Sequence, residues 1–193
     1  DIDLGPERLA FYIDDVLTAG EADALTACAE SIYKLNGNSR LAPGISTPPG
    51  MRMNMAAHWY MLRGAAPRFF GPLLERVRPL VPQTLGGLKL WGISERINHF
   101  KYGDGDRFER HVDGLFPGSG ANDRGDGVDQ WPGVQTGMSM LLYLNDGPSD
   151  GLVGGETRLW DAKGRHHVDI QPKKGRALFF RRGSADSVMH AGL

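Results

Sequence analysis

The sequence predicts a mostly β domain flanked by N-terminal helices (α+β), in which a β-sandwich or barrel is buttressed by helices. Two observations carry this prediction. Apolar residues recur at helical spacing before Gly86-Gly87, and after it the period changes to two, as in strands. The chain also has 27 glycines and 12 prolines among 193 residues, about a fifth of its length against the usual about 12%. We therefore expect a single domain over residues 1–193 that turns often.

Two helices are predicted in residues 1–87, which we expect to support the sheets. Thr18-Ala-Gly-Glu21 has the pattern of a capping box, in which both side chains satisfy free N–H groups at a helix start. Apolar residues at helical spacing follow, and Asn36-Gly37 ends the pattern. A loop rich in proline, glycine and serine is expected over residues 38–50. A second helix is expected after Pro67, with an apolar side formed by Phe69, Phe70, Leu73, Leu74 and Val77.

The β core is predicted in residues 88–193. Short segments that alternate in the manner of strands lie at residues 93–100, 138–145, 157–160, 166–170 and 176–181. Asp161–Gly164 is expected to form a hairpin turn between two of these strands. Gly114–Thr136 is long and rich in glycine, and a loop of this length inside a compact domain is usually functional or disordered.

Composition and charge exclude several classes of protein. Lys and Arg number 22 against 23 Asp and Glu, which argues against nucleic acid as a partner because binding to its backbone needs an excess of basic charge. The longest apolar run, Met138–Leu144, is too short to cross a bilayer. The acidic and polar opening does not resemble a signal peptide, and Cys28 has no second cysteine to pair with. We therefore expect a cytoplasmic protein that binds neither nucleic acid nor membrane.

The residues expected to carry chemistry centre on His111 and Asp113. Residues i and i+2 of an extended strand project from the same face, so this imidazole and this carboxylate can bind one metal ion. His190, near the C-terminal end of the sequence, is the candidate third ligand. Two histidines and a carboxylate form the facial triad of non-haem Fe(II) oxygenases. The same tripeptide recurs as His167-Val168-Asp169, which we predict to be an exposed strand face because it follows the expected hairpin turn.

The surroundings of His111 resemble a known family. The segment Tyr102-Gly-Asp-Gly-Asp-Arg-Phe-Glu-Arg-His111-Val-Asp113 resembles the Y-x-x-G-x-x-[FY]-x-x-H-x-D segment of the prolyl 4-hydroxylase-like branch of the Fe(II)/2-oxoglutarate dioxygenases. Further matches follow in the family's order: a strand ending in Y-L-N at 138–145, a G-G-x-T turn at 154–157, and a closing strand with the distal histidine at 174–180 and 189–192. Residues 11–18 are also similar to the entry of the family's first helix.

This resemblance implies a double-stranded β-helix, or jelly roll, and assigns roles to residues. It implies that His111, Asp113 and His190 hold Fe(II). Tyr102 and Tyr143 are implied to donate hydrogen bonds to the carboxylates of 2-oxoglutarate. Thr157 is implied to line the same pocket.

The implied reaction is hydroxylation of an unactivated C–H bond with 2-oxoglutarate and O2 as cosubstrates, release of succinate and CO2, and ascorbate as a candidate reductant. The favoured substrate is a prolyl or other amino-acid side chain, in a peptide or as the free amino acid, and members of this branch also act on small molecules. Asp113 favours hydroxylation over halogenation, because related halogenases lack the carboxylate.

Two other classes of function stay open. One is a non-catalytic jelly-roll module that binds a ligand or a metal such as Zn²⁺, and the intact triad with both tyrosines argues against it. The other is a cupin-like metalloenzyme that needs no cosubstrate, which the contexts of Tyr102 and Tyr143 disfavour.

One departure from the family concerns the anchor for the far carboxylate of 2-oxoglutarate. The family places a Lys or Arg a short distance beyond the distal histidine, where the pair forms a strong charge-assisted contact, whereas this sequence ends at Leu193. We expect that the last strand with its basic residue lies beyond Leu193. The alternative is that a basic residue on another strand replaces it, with four candidates in Arg158, Arg176, Arg181 and Arg182.

Three residues are candidate substrate contacts. Phe116 and Trp131 belong to Gly114–Thr136, which leaves directly from Asp113 and is therefore expected to border the mouth of the site and act as a lid. His58, beside Trp59 and Tyr60, is the third candidate. A calcium site at residues 122–129 is disfavoured because their acidic spacing fails the EF-hand pattern.

Overall fold

The computed structural model describes residues 1–5, 8–35, 50–51, 54–183 and 185–193. The chain divides into two compact units. The first comprises Asp1–Ala57, His99–Gly114 and Met138–Leu193, and the second comprises His58–Asn98 and Leu115–Gly137. The predicted helix end at Asn36-Gly37 and nearly all of the predicted loop 38–50 lie outside the described residues. The division of a single domain into a helical support (1–87) and a β core (88–193) stays a prediction.

Strands dominate the described residues, as predicted. The two α-helices are α1 (Ala19–Leu35) and α2 (Ala66–Val77). The strands are β1 (Ala10–Ile13), β2 (Met55–Tyr60), β3 (Thr84–Leu85), β4 (Leu88–Lys89), β5 (Arg96–Lys101), β6 (Phe108–His111), β7 (Pro117–Ala121), β8 (Val128–Gln135), β9 (Met138–Leu142), β10 (Thr157–Trp160), β11 (His167–Ile170), β12 (Ala177–Arg181) and β13 (His190–Gly192). Short 3₁₀ turns lie at Arg78–Leu80 and Pro148–Asp150.

The first unit contains two antiparallel sheets, in the orders β1-β12-β9 and β11-β10-β13-β6. Their inward side chains form a single hydrophobic core. It includes Leu178 and Phe180 from the three-stranded sheet and Leu159 and Ile170 from the four-stranded sheet. The two sheets therefore pack face to face, which is the sandwich that the alternating segments predict.

Helix α1 belongs to the same unit and begins as predicted. The Thr18 amide donates to the Glu21 carboxylate at 2.8 Å, and the Glu21 amide donates to the Thr18 hydroxyl at 3.2 Å. These two bonds are the capping box. The buried side of the helix consists of Ala22, Leu25, Ala29 and Tyr33, whereas Cys28 is exposed.

The second unit contains α2 and two antiparallel hairpins, β3–β4 and β7–β8. Pro67 lies in the first turn of α2, where proline is tolerated because no partner is required for its nitrogen. The helix buries Ala66, Phe70, Leu73 and Val77. No α-helix in the described ranges has the length and apolar composition needed to span a bilayer.

The structure corrects the prediction of a loop at Gly114–Thr136. Most of this segment forms the hairpin β7–β8. Its glycines permit close packing: a Cβ added to Gly120 would lie 2.8 Å from the Trp131 ring, and one added to Gly118 would lie 3.0 Å from it. The glycines in these strands allow the Trp131 ring to pack close to the backbone, so a segment rich in glycine is a strand hairpin here and the prediction of a loop is wrong.

A second correction concerns residues 11–18, which resemble a helix entry. Phe11–Ile13 belongs to strand β1, which pairs with β12. The rings of Phe11 and Phe179 stack with their centroids 5.0 Å apart. This cross-strand contact with a residue far along the chain favours the strand, and local sequence alone does not reveal it.

Candidate active site

His111 and His190 lie directly opposite each other on neighbouring strands. His111 ends β6, His190 begins β13, and the two are register partners in the antiparallel pair. Their ring centroids are 4.2 Å apart. His190 is buried against the ring of Phe180, and His111 stacks on Phe108 with centroids 3.9 Å apart. Strand pairing therefore brings together two residues that lie far apart in sequence.

Asp113 completes a cluster of three candidate ligands. Its Oδ1 lies 3.8 Å from His111 Nε2 and 3.9 Å from His190 Nε2. Each of the three residues offers a ligand atom within 4.8 Å of the others. Asp113 lies two residues beyond the end of β6, so the predicted proximity is present although the strand that was expected to produce it stops at His111.

The hydrogen bonds of both imidazoles fit metal binding. His111 Nδ1 donates to the Glu109 carbonyl at 2.7 Å, and His190 Nδ1 donates to the Val188 carbonyl at 3.1 Å. A carbonyl only accepts, so each Nδ1 carries a proton, and each Nε2 is the ring nitrogen turned towards Asp113. This is the orientation that outer contacts impose on metal-binding histidines. Burial lowers the pKa of His190 to about 4, so this ring is neutral near pH 7, as a ligand must be.

The Asp113 carboxylate is held by groups that the sequence did not single out. The Ser139 hydroxyl donates to its Oδ2, which leaves Oδ1 facing the histidines. Burial opposes ionisation, but His190, Arg182 and the Ser139 hydrogen bond together hold the pKa of Asp113 below its usual value. The site therefore presents one carboxylate and two imidazoles, the donor set that a divalent first-row metal prefers.

The backbone around Asp113 is held by the two residues that follow β12, Arg182 and Gly183. The Arg182 guanidinium donates to the Gly114 carbonyl from Nε at 2.8 Å and from Nη2 at 2.5 Å. The Gly183 amide donates to the Asp113 carbonyl at 3.0 Å. These bonds replace strand pairing, which ends at His111, and they hold the carboxylate near the imidazoles.

Ser139 had a sequence signal that alternation reveals. It is the one polar residue of the apolar run Met138–Leu144, and it shares a strand face with Leu141 and Tyr143. A polar side chain on the inward face of a strand needs a partner. Arg182 has no comparable signal, because the two hydrogen bonds described above go to the Gly114 carbonyl, a backbone group.

The three residues implied to contact the cosubstrate also lie close together. The Tyr143 hydroxyl donates to Thr157 Oγ1 at 2.8 Å, and both residues are largely buried. Gly192 is the register partner of Thr157. A Cβ added to Gly192 would lie 2.6 Å from the Tyr102 hydroxyl, so this glycine is needed for Tyr102 to approach. Gly192 and His190 are two residues apart on one strand, which places this hydroxyl cluster next to the triad.

Burial also controls the protonation state of the Tyr143 hydroxyl. It raises the pKa of this phenol to about 12, so the hydroxyl stays protonated and can donate a hydrogen bond. Tyr143 packs at the edge of the hydrophobic core as well. A donor of this kind, in a site of low polarity, suits the recognition of a carboxylate.

The four candidate anchor arginines all have acceptors within the protein. Arg158 forms two hydrogen bonds with Asp169, both at 2.7 Å. Arg176 pairs with Asp14 at 2.6 Å, and Arg181 pairs with Asp186 at 3.1 Å. Arg182 binds the Gly114 carbonyl, as described above. Their role in binding a cosubstrate stays a prediction.

The candidate substrate contacts Phe116, Trp131 and His58 all lie in the second unit. The Arg96 guanidinium lies 4.7 Å above the Phe116 ring, and Trp131 packs against Trp91 with centroids 4.6 Å apart. His58 Nδ1 is buried without a hydrogen-bond partner among the described residues. Burial and the charge of Arg96 lower the pKa of His58. Contact of these residues with a substrate, and the lid role of Gly114–Thr136, stay predictions.

Two solved structures resemble this chain in fold. A prolyl-4-hydroxylase from Pseudomonas putida has a TM-score of 0.60 and 20% sequence identity, with 95% of this chain and 84% of that chain covered. The viral collagen prolyl hydroxylase of Paramecium bursaria Chlorella virus-1, in complex with 2-oxoglutarate, has a TM-score of 0.57 and 20% identity, with 95% and 87% covered. These similarities confirm the predicted jelly roll. No curated protein has significant sequence similarity to the chain.

The family model described as the 2OG-Fe(II) oxygenase superfamily matches residues 97–193, which is half of the chain. The matched segment contains the three candidate metal ligands and the hydroxyl cluster. Members of this family use Fe(II) with 2-oxoglutarate and O2, in agreement with the predicted cofactor and cosubstrates. The chain therefore belongs to the 2OG-Fe(II) oxygenase superfamily.

Proposed function

We propose that this oxygenase hydroxylates a prolyl or other amino-acid side chain of a peptide. The observation that carries the proposal is the convergence of His111, Asp113 and His190, with both Nε2 atoms turned towards Asp113. Family membership supplies the reaction type. The substrate class is supported by the names of the two solved structures, which are both prolyl hydroxylases.

In this proposal His111, Asp113 and His190 hold Fe(II). A metal held by only these three residues would be able to bind 2-oxoglutarate and O2 as well. Bound there, Fe(II) would supply the oxidising power by which 2-oxoglutarate and O2 give succinate and CO2 while one oxygen atom enters a C–H bond of the substrate. Ser139 and Arg182 keep Asp113 ionised and in place.

The hydroxyl cluster orients the cosubstrate in this proposal. Tyr143, Thr157 and Tyr102 present three hydroxyl groups beside the strand that carries His190. Hydroxyl groups donate to carboxylates, and the buried phenol of Tyr143 stays protonated for this purpose. Phe116, Trp131 and His58 are the proposed substrate contacts. A cytoplasmic location is proposed as well, in keeping with the unpaired and exposed Cys28.

An anaerobic titration tests the metal and cosubstrate roles. The metal-free protein is titrated with Fe(II) and then with 2-oxoglutarate, and the weak visible charge-transfer band of the chelated keto acid is recorded. We expect the band in the native protein and in Asp169→Ala, which alters the second His-Val-Asp tripeptide. We expect no band in Asp113→Ala. A band of equal strength in Asp113→Ala contradicts the assigned ligands.

A second experiment tests the substrate. Succinate formation is followed with proline-containing peptides, with matched peptides in which alanine replaces proline, and with free proline. Hydroxylation is confirmed by a mass increase of one oxygen atom on the peptide. Turnover that depends on a peptide supports the proposal. Turnover with free amino acids alone overturns the peptide assignment and leaves the metal site unaffected.

A further inference from the structure

A pocket of about 300 Å³ lies on the first unit, on the strand face opposite to the candidate metal ligands. His111 and His190 point inwards from β6 and β13, whereas their sequence neighbours Arg110, Val112 and Met189 line this pocket. Successive residues of a strand point to opposite faces. The pocket and the candidate iron site are therefore back to back across one layer of strands. Its volume is at the lower end of the range for small-molecule sites.

Three cations surround the pocket. Arg110 reaches it from β6, Lys163 from the turn between β10 and β11, and Arg8 from the segment before β1. One carboxylate, Asp161, also lines it. Asp161 Oδ1 accepts the Arg165 amide at 2.8 Å within its own turn, so part of its charge is already used there. An excess of positive charge remains.

Arg110 is held in a fixed position by contacts that do not neutralise it. Its guanidinium lies 4.5 Å above the Trp160 ring. It also covers Gly164: a Cβ added there would lie 2.2 Å from Nη2, so any other residue at this position would displace the arginine. Among the described residues, no carboxylate forms an ion pair with Arg110 or Lys163. An oriented guanidinium without an acidic partner is suited to binding an anion.

Arg8 is also oriented. Its Nη1 donates to the Ala185 carbonyl at 3.0 Å, which leaves its other N–H groups available. Two apolar residues, Val112 and Met189, also line the pocket.

We propose that this pocket binds a small multivalent anion that carries phosphate or carboxylate groups. Arg110 and Arg8 provide planar donors that match either oxyanion, and Lys163 provides a point charge. Since the pocket is on the far side of the strands from His111 and His190, binding requires neither iron nor 2-oxoglutarate.

Calorimetric titration of the metal-free protein tests this inference. The probes are inorganic phosphate, pyrophosphate and citrate, in a buffer without competing anions. We expect saturable binding of pyrophosphate or citrate that is tighter than that of phosphate. A preference for pyrophosphate indicates a phosphate ligand, and a preference for citrate indicates a polycarboxylate. Absence of saturable binding by all three probes overturns the proposal.

Two variants locate the binding. Arg110→Gln and Lys163→Gln should each weaken the affinity by about tenfold, as expected for loss of one charge-assisted contact. Arg165→Gln, in the same turn but outside the pocket, is the matched control and should leave the affinity unchanged. Equal weakening by all three variants would indicate nonspecific charge attraction and overturn the site.

Amide NMR shifts separate this pocket from the cosubstrate region, which also attracts carboxylates. Citrate or pyrophosphate should shift the amides of Lys163 and Gly164. Shifts confined to Tyr143 and Thr157 would place the anion beside the iron site and overturn the inference. The measurement does not depend on turnover, so a failure of the proposed hydroxylase activity would leave it interpretable.

Discussion

The tripeptide His-Val-Asp occurs twice in this chain, at residues 111–113 and 167–169, and its two copies have different environments. Both lie at edges of the same four-stranded sheet, whose order is β11-β10-β13-β6. In the first copy only His111 belongs to β6, which ends there, whereas the whole second copy lies within β11. In the first, the histidine and the aspartate are partly or largely buried, whereas His167, Val168 and Asp169 are all exposed.

The strand opposite each copy accounts for the difference. His111 faces His190 across the β6–β13 pair, and Asp113 receives the Ser139 hydroxyl. His167 faces Trp160, and Asp169 faces Arg158, which neutralises it through two hydrogen bonds. The tripeptide itself is therefore not the site. The first copy has a second histidine in register, and its aspartate accepts a hydrogen bond from a hydroxyl group, whereas the aspartate of the second copy accepts two from a guanidinium. These two differences suit the first copy to binding a metal.

The largest expected effect breaks the comparison at the aspartates. Asp113→Ala should lower the rate of succinate formation at least about 1,000-fold, equivalent to about 4 kcal/mol, because it removes a charged metal ligand. Asp169→Ala should leave the rate within about twofold. Circular dichroism of both variants controls for folding. Similar activities of the two variants would show that the metal site has been assigned to the wrong copy of the tripeptide.

A pH experiment sharpens the role of burial. Burial lowers the pKa of His99 to about 4, from an unfolded value near 6.5, and Tyr33 donates to or accepts from its Nδ1 at 2.8 Å. The unfolded chain binds the proton more tightly, so stability is lost as the pH falls from 6.5 towards 4, by about 3 kcal/mol. Urea denaturation at several pH values in this range gives the free energy of unfolding as a function of pH. This free energy should depend less steeply on pH in His99→Gln than in the native protein. His167→Gln, at an exposed position, is the control and should keep the native pH dependence of the free energy of unfolding. A weaker pH dependence in this variant would contradict the assignment of the effect to the burial of His99.

Ser139→Ala tests whether the orientation of the Asp113 carboxylate matters when the carboxylate itself is kept. Loss of an outer hydrogen bond to a metal ligand typically costs about 10–100-fold in metal affinity or activity. We expect a loss of this size in Fe(II) affinity, measured by anaerobic titration, with a fold that melts cooperatively. Ser31→Ala, on the exposed side of α1, is the matched control. Fe(II) affinity equal to that of the native protein would show that Ser139 does not orient the carboxylate.

The smallest expected effect concerns the second copy. Arg158→Met removes the ion pair with Asp169, and an exposed pair of this kind contributes about 0.2–1 kcal/mol to stability. Denaturation in low and high salt should show a small loss that salt reduces. Fe(II) affinity should not change. A large loss of Fe(II) affinity would instead indicate that Arg158 contributes to the iron site.

Much of the fold was predictable because it depends on local patterns. Thr18 and Glu21 identify the start of α1, and the alternation at residues 157–160 gives β10 with its correct bounds. The hairpin β7–β8 was not predicted, since its glycines fit against Trp131, a contact that only the folded chain contains. Strand β13 is only three residues long and has too few residues to show a period.

The three residues that meet in the candidate site were predictable, and the contacts that hold them in place were not. His111, Asp113 and His190 follow from a resemblance between ordered motifs, and the structure brings their ligand atoms together. The contacts of Arg182 with the Gly114 carbonyl and of Tyr102 with Gly192 depend on backbone positions. Residue types do not encode such contacts, so they become visible only with coordinates.

The register pairing of His111 with His190 has a consequence for the stability of the protein. Strand β6 is at the edge of its sheet and pairs with β13, which is short. A metal ion bound by both histidines would act as a removable cross-link between these two strands. The ion would bind the folded chain in preference to the unfolded one. Free Fe(II) at 100 times its dissociation constant would therefore raise the free energy of unfolding by about 2.7 kcal/mol. The supply of iron would thus govern the persistence of this sheet edge as well as turnover.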